Sequence, residues 1–91
     1  MIDMEKLMEV GDVFESVENG TVIVGNEPVL TSIGKIGDNI VLQISEHEIL
    51  NLSVVSVQIS NSPNDKKMVG ICLGNSIQPV DIPIGSTVYI I

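Results

Sequence analysis

Apolar residues fall in short runs along the chain, and a cluster of turn-forming residues follows each run at intervals of about 8–12 residues. The first two runs predict a hairpin, with one strand at residues 7–10 and 13–14, a turn at residues 18–20 and a second strand at residues 21–24. Gly20 suits the turn because glycine adopts a positive φ without penalty. This spacing is typical of an all-β barrel or sandwich.

The run at residues 49–59 predicts the longest strand and contains a change of phase. Apolar residues occupy even positions from 50 to 54 and odd positions from 55 to 59, so the pattern slips by one residue between Val54 and Val55. A slip of one residue sends later side chains to the other face unless an extra residue is absorbed. We therefore expect a β-bulge that bends this strand, as a small closed barrel requires.

The remaining pattern predicts strands at residues 40–44, 68–73 and 87–91, and a brief extended segment at residues 29–30 after Pro28. Residues 1–6 are expected to be a short N-terminal lead-in, and residues 7–91 a single domain. With 91 residues, of which 44% are hydrophobic, the chain fits one small domain. Its apolar residues are almost all aliphatic, since Phe14 and Tyr89 are the only aromatic ones.

The charge of the chain limits the classes of partner that it can bind. The net charge is -8, from 12 acidic residues and four lysines, and there is no arginine. Binding to a phosphate backbone depends on Lys and Arg, so nucleic acid is disfavoured. The acidic surface either maintains solubility or attracts a basic protein surface.

Features of localisation point to the cytoplasm. Cys72 is the single cysteine, so no internal disulfide forms, and the first ten residues lack the basic start and apolar stretch of a signal peptide. No apolar run approaches the ~20 residues of a membrane span. We expect a cytoplasmic protein without a membrane association.

Several short motifs share an order and spacing with a known family. Residues 10–14 (VGDVF), 20–25 (GTVIVG), 35–38 (KIGD) and 69–73 (VGICL) follow one another between the predicted turns, and Asp81-Ile82 precedes Gly85 near the end. This series resembles the second domain of the translational GTPases, the elongation factor Tu domain 2 family. The resemblance covers nearly the whole chain from Leu7 onward. It implies a small closed six-stranded Greek-key-like β-barrel.

The chain departs from that family where the family carries basic residues. Glu18 and Asn19 stand where the family usually has Gly-Arg before its Gly-Thr, and Gly74 stands where it has Arg. In the family, basic and polar residues of this domain help to hold the aminoacyl end of transfer RNA or contact the ribosome, and their loss here disfavours both roles. The chain also lacks the G-x-x-x-x-G-K-[ST] loop that cradles phosphates, which excludes GTP hydrolysis on this chain.

A run of acids near the first turn is the candidate site. Asp12, Glu15 and Glu18, together with Asn19, form a candidate partner-binding surface that would attract a basic protein. The alternative interpretation is a solvated strand face whose acids protect an edge against aggregation.

The sequence offers no group of residues suited to catalysis. His47 lies between two glutamates in a polar loop without a second histidine or cysteine at ligand spacing, so we expect a solvated side chain and no metal. Cys72 lies in an apolar run without a cationic neighbour, so we expect it to be buried and unreactive. We predict no cofactor and no enzymatic activity, because no pair of nucleophile and base is visible.

The function that these observations favour is a stand-alone, non-catalytic β-barrel that acts as a protein-interaction module. Self-association is a further expectation, because a small core gains from burying an apolar face against a second copy. Two alternatives stay open. One is an RNA- or ribosome-associated accessory protein in translation, and the other is a non-catalytic subunit of a larger enzyme.

Overall fold

The computed structural model describes residues 4–26, 28–61 and 67–91. Residues 1–3 of the expected lead-in lie outside the described residues. The seven strands are β1 (Glu5–Ser16), β2 (Gly20–Asn26), β3 (Asn39–Gln43), β4 (Ile49–Ser53), β5 (Ser56–Asn61), β6 (Lys67–Gly74) and β7 (Thr87–Ile90). A short helix, α1 (Leu30–Ile33), precedes β3, and a 3₁₀ turn (Pro79–Asp81) precedes β7.

The strands form one antiparallel sheet in the order β4-β3-β7-β1-β2-β6-β5. The predicted all-β class is confirmed. The order has two ends, β4 and β5, so the sheet is not closed.

β1 divides the sheet into two halves because it changes partner along its length. Its first part pairs with β7 and its later part with β2, with a shift of register between Val10 and Asp12. We call β4, β3, β7 and residues 5–9 the β3 half, and residues 10–16 with β2, β6 and β5 the hairpin half. The register shift bends β1, which allows one strand to serve both halves.

The predicted long strand at residues 49–59 is two strands, and the bulge predicted within it is wrong. The break falls at the change of phase, where the amide of Val54 donates to Asp38 O and the amide of Val55 donates to Cys72 O, each at 2.8 Å. Successive amides of an extended chain point to opposite sides, so the chain leaves β3 and joins β6 here. The change of partner explains the slip without an extra residue. It also gives seven strands, where the resemblance implied six.

The core consists of buried aliphatic residues from five strands and from the connection before β7. Directly opposed residues share a face of a sheet, and Ile23 of β2 lies opposite Val13 of β1 and Ile71 of β6 on the inner face. Full burial of one such side chain contributes about 1.5–3 kcal/mol. The core cluster contains Leu7, Met8, Val10, Ile23, Ile40, Leu42, Val69, Ile71, Leu73, Ile77, Ile82, Val88 and Ile90.

The turn end of the first hairpin is fastened to the end of β6. Gly20 has φ 71° and Gly74 has φ 74°, which only glycine adopts readily. A Cβ atom on Gly20 would lie 2.7 Å from the Cα atom of Gly74, so the two backbones are in contact. Next to this contact, the buried hydroxyl of Thr21 donates to Ile77 O at 2.5 Å. The predicted turn at residues 18–20 is confirmed by the turn between β1 and β2.

The prediction of an extended segment at residues 29–30 is only partly correct. The amide of Val29 donates to Leu7 O at 2.8 Å, as an added strand would, but Leu30 begins α1. The amide of Ser32 then donates to Val29 O at 2.9 Å, which turns the chain. Ser32 is buried and Ile33 packs against the core, so tertiary burial decides the conformation of this segment.

Candidate functional site

The four residues predicted as a partner surface lie close together along the chain, although not on one face. Asp12 and Glu15 are exposed residues of β1, and Glu18 and Asn19 belong to the turn that follows. Side chains alternate along a strand, so Asp12 and Glu15, three positions apart, point to opposite faces of the sheet. Their role in binding a partner stays a prediction.

Hydrogen bonds within the turn give Ser16 and Asn19 structural roles. The amides of Glu18 and Asn19 both donate to Ser16 Oγ at 3.3 Å. Asn19 O accepts from the amide of Gly74 at 3.1 Å, which ties the turn to β6. Glu18 is exposed at the tip and Asn19 is half-buried.

The outer face of the hairpin half carries an apolar surface that crosses three strands. In one row of opposed residues, Phe14 of β1 lies beside Val22 of β2, which lies beside Cys72 of β6. In the next row, Val24 lies beside Gly70. We call this surface the apolar face, and it comprises Phe14, Val22, Val24, Met68, Gly70 and Cys72.

Burial on the apolar face is uneven. Val22 and Cys72 are only 7% and 2% exposed, yet they do not belong to the core cluster on the inner face. Phe14, the one phenylalanine of the chain, is 46% exposed beside them. The molecule therefore builds its core without its phenylalanine and places that side chain on the surface. Aromatic residues and methionine are enriched where proteins bind each other.

The outer face of the β3 half has a different character. Its rows of opposed residues contain Lys6 and Tyr89, then Glu9 and Thr87, together with polar residues of β3 and β4 and the buried Val41. The hydroxyl of Tyr89 donates to Gln43 Oε1 at 3.3 Å. Ile49 is the large exposed apolar residue of these rows, at 60%. This face is suited to contact with water.

The two side chains considered for reactive chemistry are placed apart. His47 is exposed in the turn between β3 and β4, and its amide donates to Ser45 Oγ at 3.4 Å. Cys72 is buried, as predicted, although it lies on the outer side of the sheet. Among the described residues, no group of three or more His, Cys, Asp or Glu side chains is placed to hold a metal ion.

A shallow concavity of about 270 Å³ lies between the end of β3 and the segment that leads into β7. Its rim includes Gln43, Glu46 and Thr87 beside the exposed Ile84. Its lining residues offer hydroxyl, amide and carboxylate groups that can form hydrogen bonds.

The apolar face is the surface that the sequence did not single out. Its signal was present in the unbroken apolar runs at residues 22–24 and 71–73, since strands that are covered on both faces lose their alternation. The runs do not say which residues share a face. That depends on the pairing of the β1–β2 hairpin with β6, which lies far from the hairpin in sequence.

We compared the chain with protein-family models, with curated proteins and with solved structures. None of them matches it. In the described part of the chain, no helix has both the length and the hydrophobicity needed to cross a membrane.

Proposed function

We propose that the chain is a non-catalytic protein-interaction module that binds its partner through the apolar face. The observation that carries this proposal is the surface position of Phe14 beside Val22 and Cys72, on the side of the sheet opposite the core. A core needs to cover only one face of an antiparallel sheet, and the other face is usually polar. Exposed apolar patches mark sites where proteins bind other molecules.

The proposed fold is the small closed six-stranded barrel that the resemblance to translational domain 2 proteins implies. Two hydrogen bonds support closure, since Val54 donates toward β3 and Val55 donates toward β6. If residues 49–61 are counted as one strand that changes partner, as β1 does, six strands result. Amide hydrogen exchange tests whether both hydrogen bonds persist in solution, as closure requires. Slow exchange of both amides is expected, and rapid exchange of either would show that the segment leaves one of its two partner strands.

The function is tested by affinity capture from a native lysate, with and without RNase, using the protein and two matched variants. Phe14→Ser and Ile49→Ser each remove one exposed apolar side chain, the first from the apolar face and the second from the outer face of the β3 half. We expect a stoichiometric protein that survives RNase, is lost with Phe14→Ser and is retained with Ile49→Ser.

Two results would overturn the proposal. Capture that vanishes with RNase would favour the RNA-associated alternative. Equal capture by both variants would show that the apolar face is not the binding surface.

A further inference from the structure

We infer that the partner contributes the apolar side of a basic amphipathic helix, and that one of its side chains inserts over Gly70. This inference rests on the proposed function and names the chemistry of the partner. It is carried by the place of Gly70 on the apolar face and by the charge around that face.

Gly70 has no role within the chain that requires a glycine. It lies inside β6, opposite Val24 on one side and Gln58 on the other, and the register is regular at both pairings. Its φ is outside the left-handed region. A Cβ atom there would meet only Gln58 O at 3.8 Å and Val22 Cγ1 at 3.9 Å, which are ordinary contacts.

Glycine weakens a strand, so its presence needs another cause. Inside a strand it marks a bulge, a sharp bend or the close approach of a second molecule. The regular register at Gly70 excludes a bulge at this position. A partner side chain that approaches this position from outside would account for the glycine.

The neighbours of Gly70 form a notch with mostly apolar walls. Cys72 and Met68 lie two positions away along β6 and therefore on the same face, and Val24 and Gln58 flank it on the adjacent strands. The side chain of methionine adapts its shape to a bound group. The notch accepts an aliphatic side chain.

The surroundings favour a helix over an added strand. β2 and β6 each have a hydrogen-bonded strand on both sides, so their backbone groups are already used at the notch. A partner therefore reaches Gly70 with side chains alone. A helix does this with apolar residues at positions i, i+3, i+4 and i+7.

Charge favours a basic partner over a second copy. Asp12 lies in the row of Val24 and Gly70, two strands from the notch, which is a separation of about 10 Å. A helix is about 10–12 Å wide with its side chains, so a Lys or Arg on its flank meets Asp12 when an apolar residue occupies the notch. A second copy would instead bring two chains of net charge -8 together.

The test uses three synthetic peptides of about 18 residues, which is long enough to form a helix. The first carries a leucine stripe with lysines elsewhere, the second has glutamates in place of the lysines, and the third is a scrambled version of the first. Binding is measured by calorimetry, and the contact surface is mapped by NMR shifts of backbone amides. We expect the lysine peptide to bind with a Kd on the order of 10–100 μM, with shifts in β2 and β6, and the other two to bind at least about tenfold more weakly.

Gly70→Val fills the notch without disturbing the fold. Because valine suits strands better than glycine and a Cβ atom has room, the melting temperature should stay equal or rise. The variant should bind the lysine peptide at least about tenfold more weakly. Asn51→Val, on the outer face of the β3 half, is the matched control and should bind it as the unchanged protein does.

The outcomes separate this inference from the proposed function. Unchanged peptide binding by Gly70→Val, shifts away from the apolar face, or equal binding of the lysine and glutamate peptides would each overturn the inference. If Phe14→Ser abolishes capture of the native partner while Gly70→Val retains it, the proposed function stands and this inference fails. If Phe14→Ser leaves that capture unchanged, the proposed function itself fails.

Discussion

The outer faces of the two halves differ although their inner faces are alike. Both halves cover one core with Ile, Val and Leu. The outside of the β3 half is polar except for Val41 and Ile49, whereas the hairpin half turns Phe14, Val24 and Met68 outward. Folding requires the inner faces to be apolar and leaves the outer faces free to vary. The core therefore does not require the outer face of the hairpin half to be apolar, and we propose that this face binds a partner.

The sharpest test of this comparison sets the inner face of the hairpin half against its outer face. Ile71→Ala removes a fully buried core side chain and should lower the free energy of unfolding by about 3 kcal/mol. Phe14→Ser removes a side chain that is nearly half exposed and should cost about 1 kcal/mol or less. Urea denaturation measures both. An equal loss for the two variants would place Phe14 among the residues that hold the fold.

A second test concerns the contact that fastens the hairpin half at its turn end. Gly20→Ala forces a Cβ atom against the backbone of Gly74 and into an unfavourable φ, so it should cost about 2 kcal/mol or more. Gly34→Ala is the control, because a Cβ atom there meets no neighbour within 4 Å and its cost should be near zero. Similar melting temperatures for the two variants would contradict the close contact between the turn and β6.

A third test compares hydroxyl groups on the two outer faces. Tyr89→Phe deletes the hydrogen bond to Gln43 on the polar face and should cost about 0.5–1 kcal/mol. Phe14→Tyr adds a hydroxyl to a half-exposed ring on the apolar face and should leave stability nearly unchanged. Thermal denaturation measures both variants, and a stabilising effect of Tyr89→Phe would contradict the polar character assigned to the β3 half.

The smallest effect is expected at an exposed ion pair at the start of β1. Lys35 donates to both carboxylate oxygens of Glu5, at 3.0 and 3.2 Å, and this hydrogen bond and its charge lower the pKa of Glu5. A lowered pKa in the folded state adds stability above the unfolded pKa, and that stability disappears as the pH falls through the folded pKa. Lys35→Gln should therefore lower the melting temperature slightly at neutral pH and not at roughly pH 2. An equal difference at both pH values would exclude the pair as its source.

The sequence was informative about local structure and much less so about partners in the sheet. Gly20 correctly indicated the first turn, and the slip between Val54 and Val55 correctly located a change in the chain. The alternation of apolar residues shows which face of the sheet each side chain occupies, but not which strand lies beside it. It therefore could not distinguish a bulge from a change of partner strand. Likewise α1 depends on burial of Ser32, which no local propensity shows.

The candidate site was also hard to predict, because the sequence does not show which strands lie side by side. Acidic residues such as Asp12 and Glu15 are conspicuous in a chain with few cations. Because side chains alternate along a strand, however, these two point to opposite faces of the sheet. Phe14 was visible within an apolar pair, whereas Cys72, in the same row of opposed residues, comes from a strand more than 50 positions later in the chain. A surface assembled from distant strands has no continuous signature in the sequence.

The position of β7 has a consequence for the order in which the molecule is completed. β7 follows the other six described strands in sequence, yet it lies between β1 and β3 in the sheet and hydrogen-bonds to both. Synthesis proceeds from the N-terminus, so β3 and β4 leave the ribosome before the strand that joins them to β1. Until residues 87–90 emerge, β1 and β3 each have an unpaired edge at the place that β7 will occupy. Pairing of β7 therefore covers one edge of β1 and one edge of β3 to which other chains could otherwise bind.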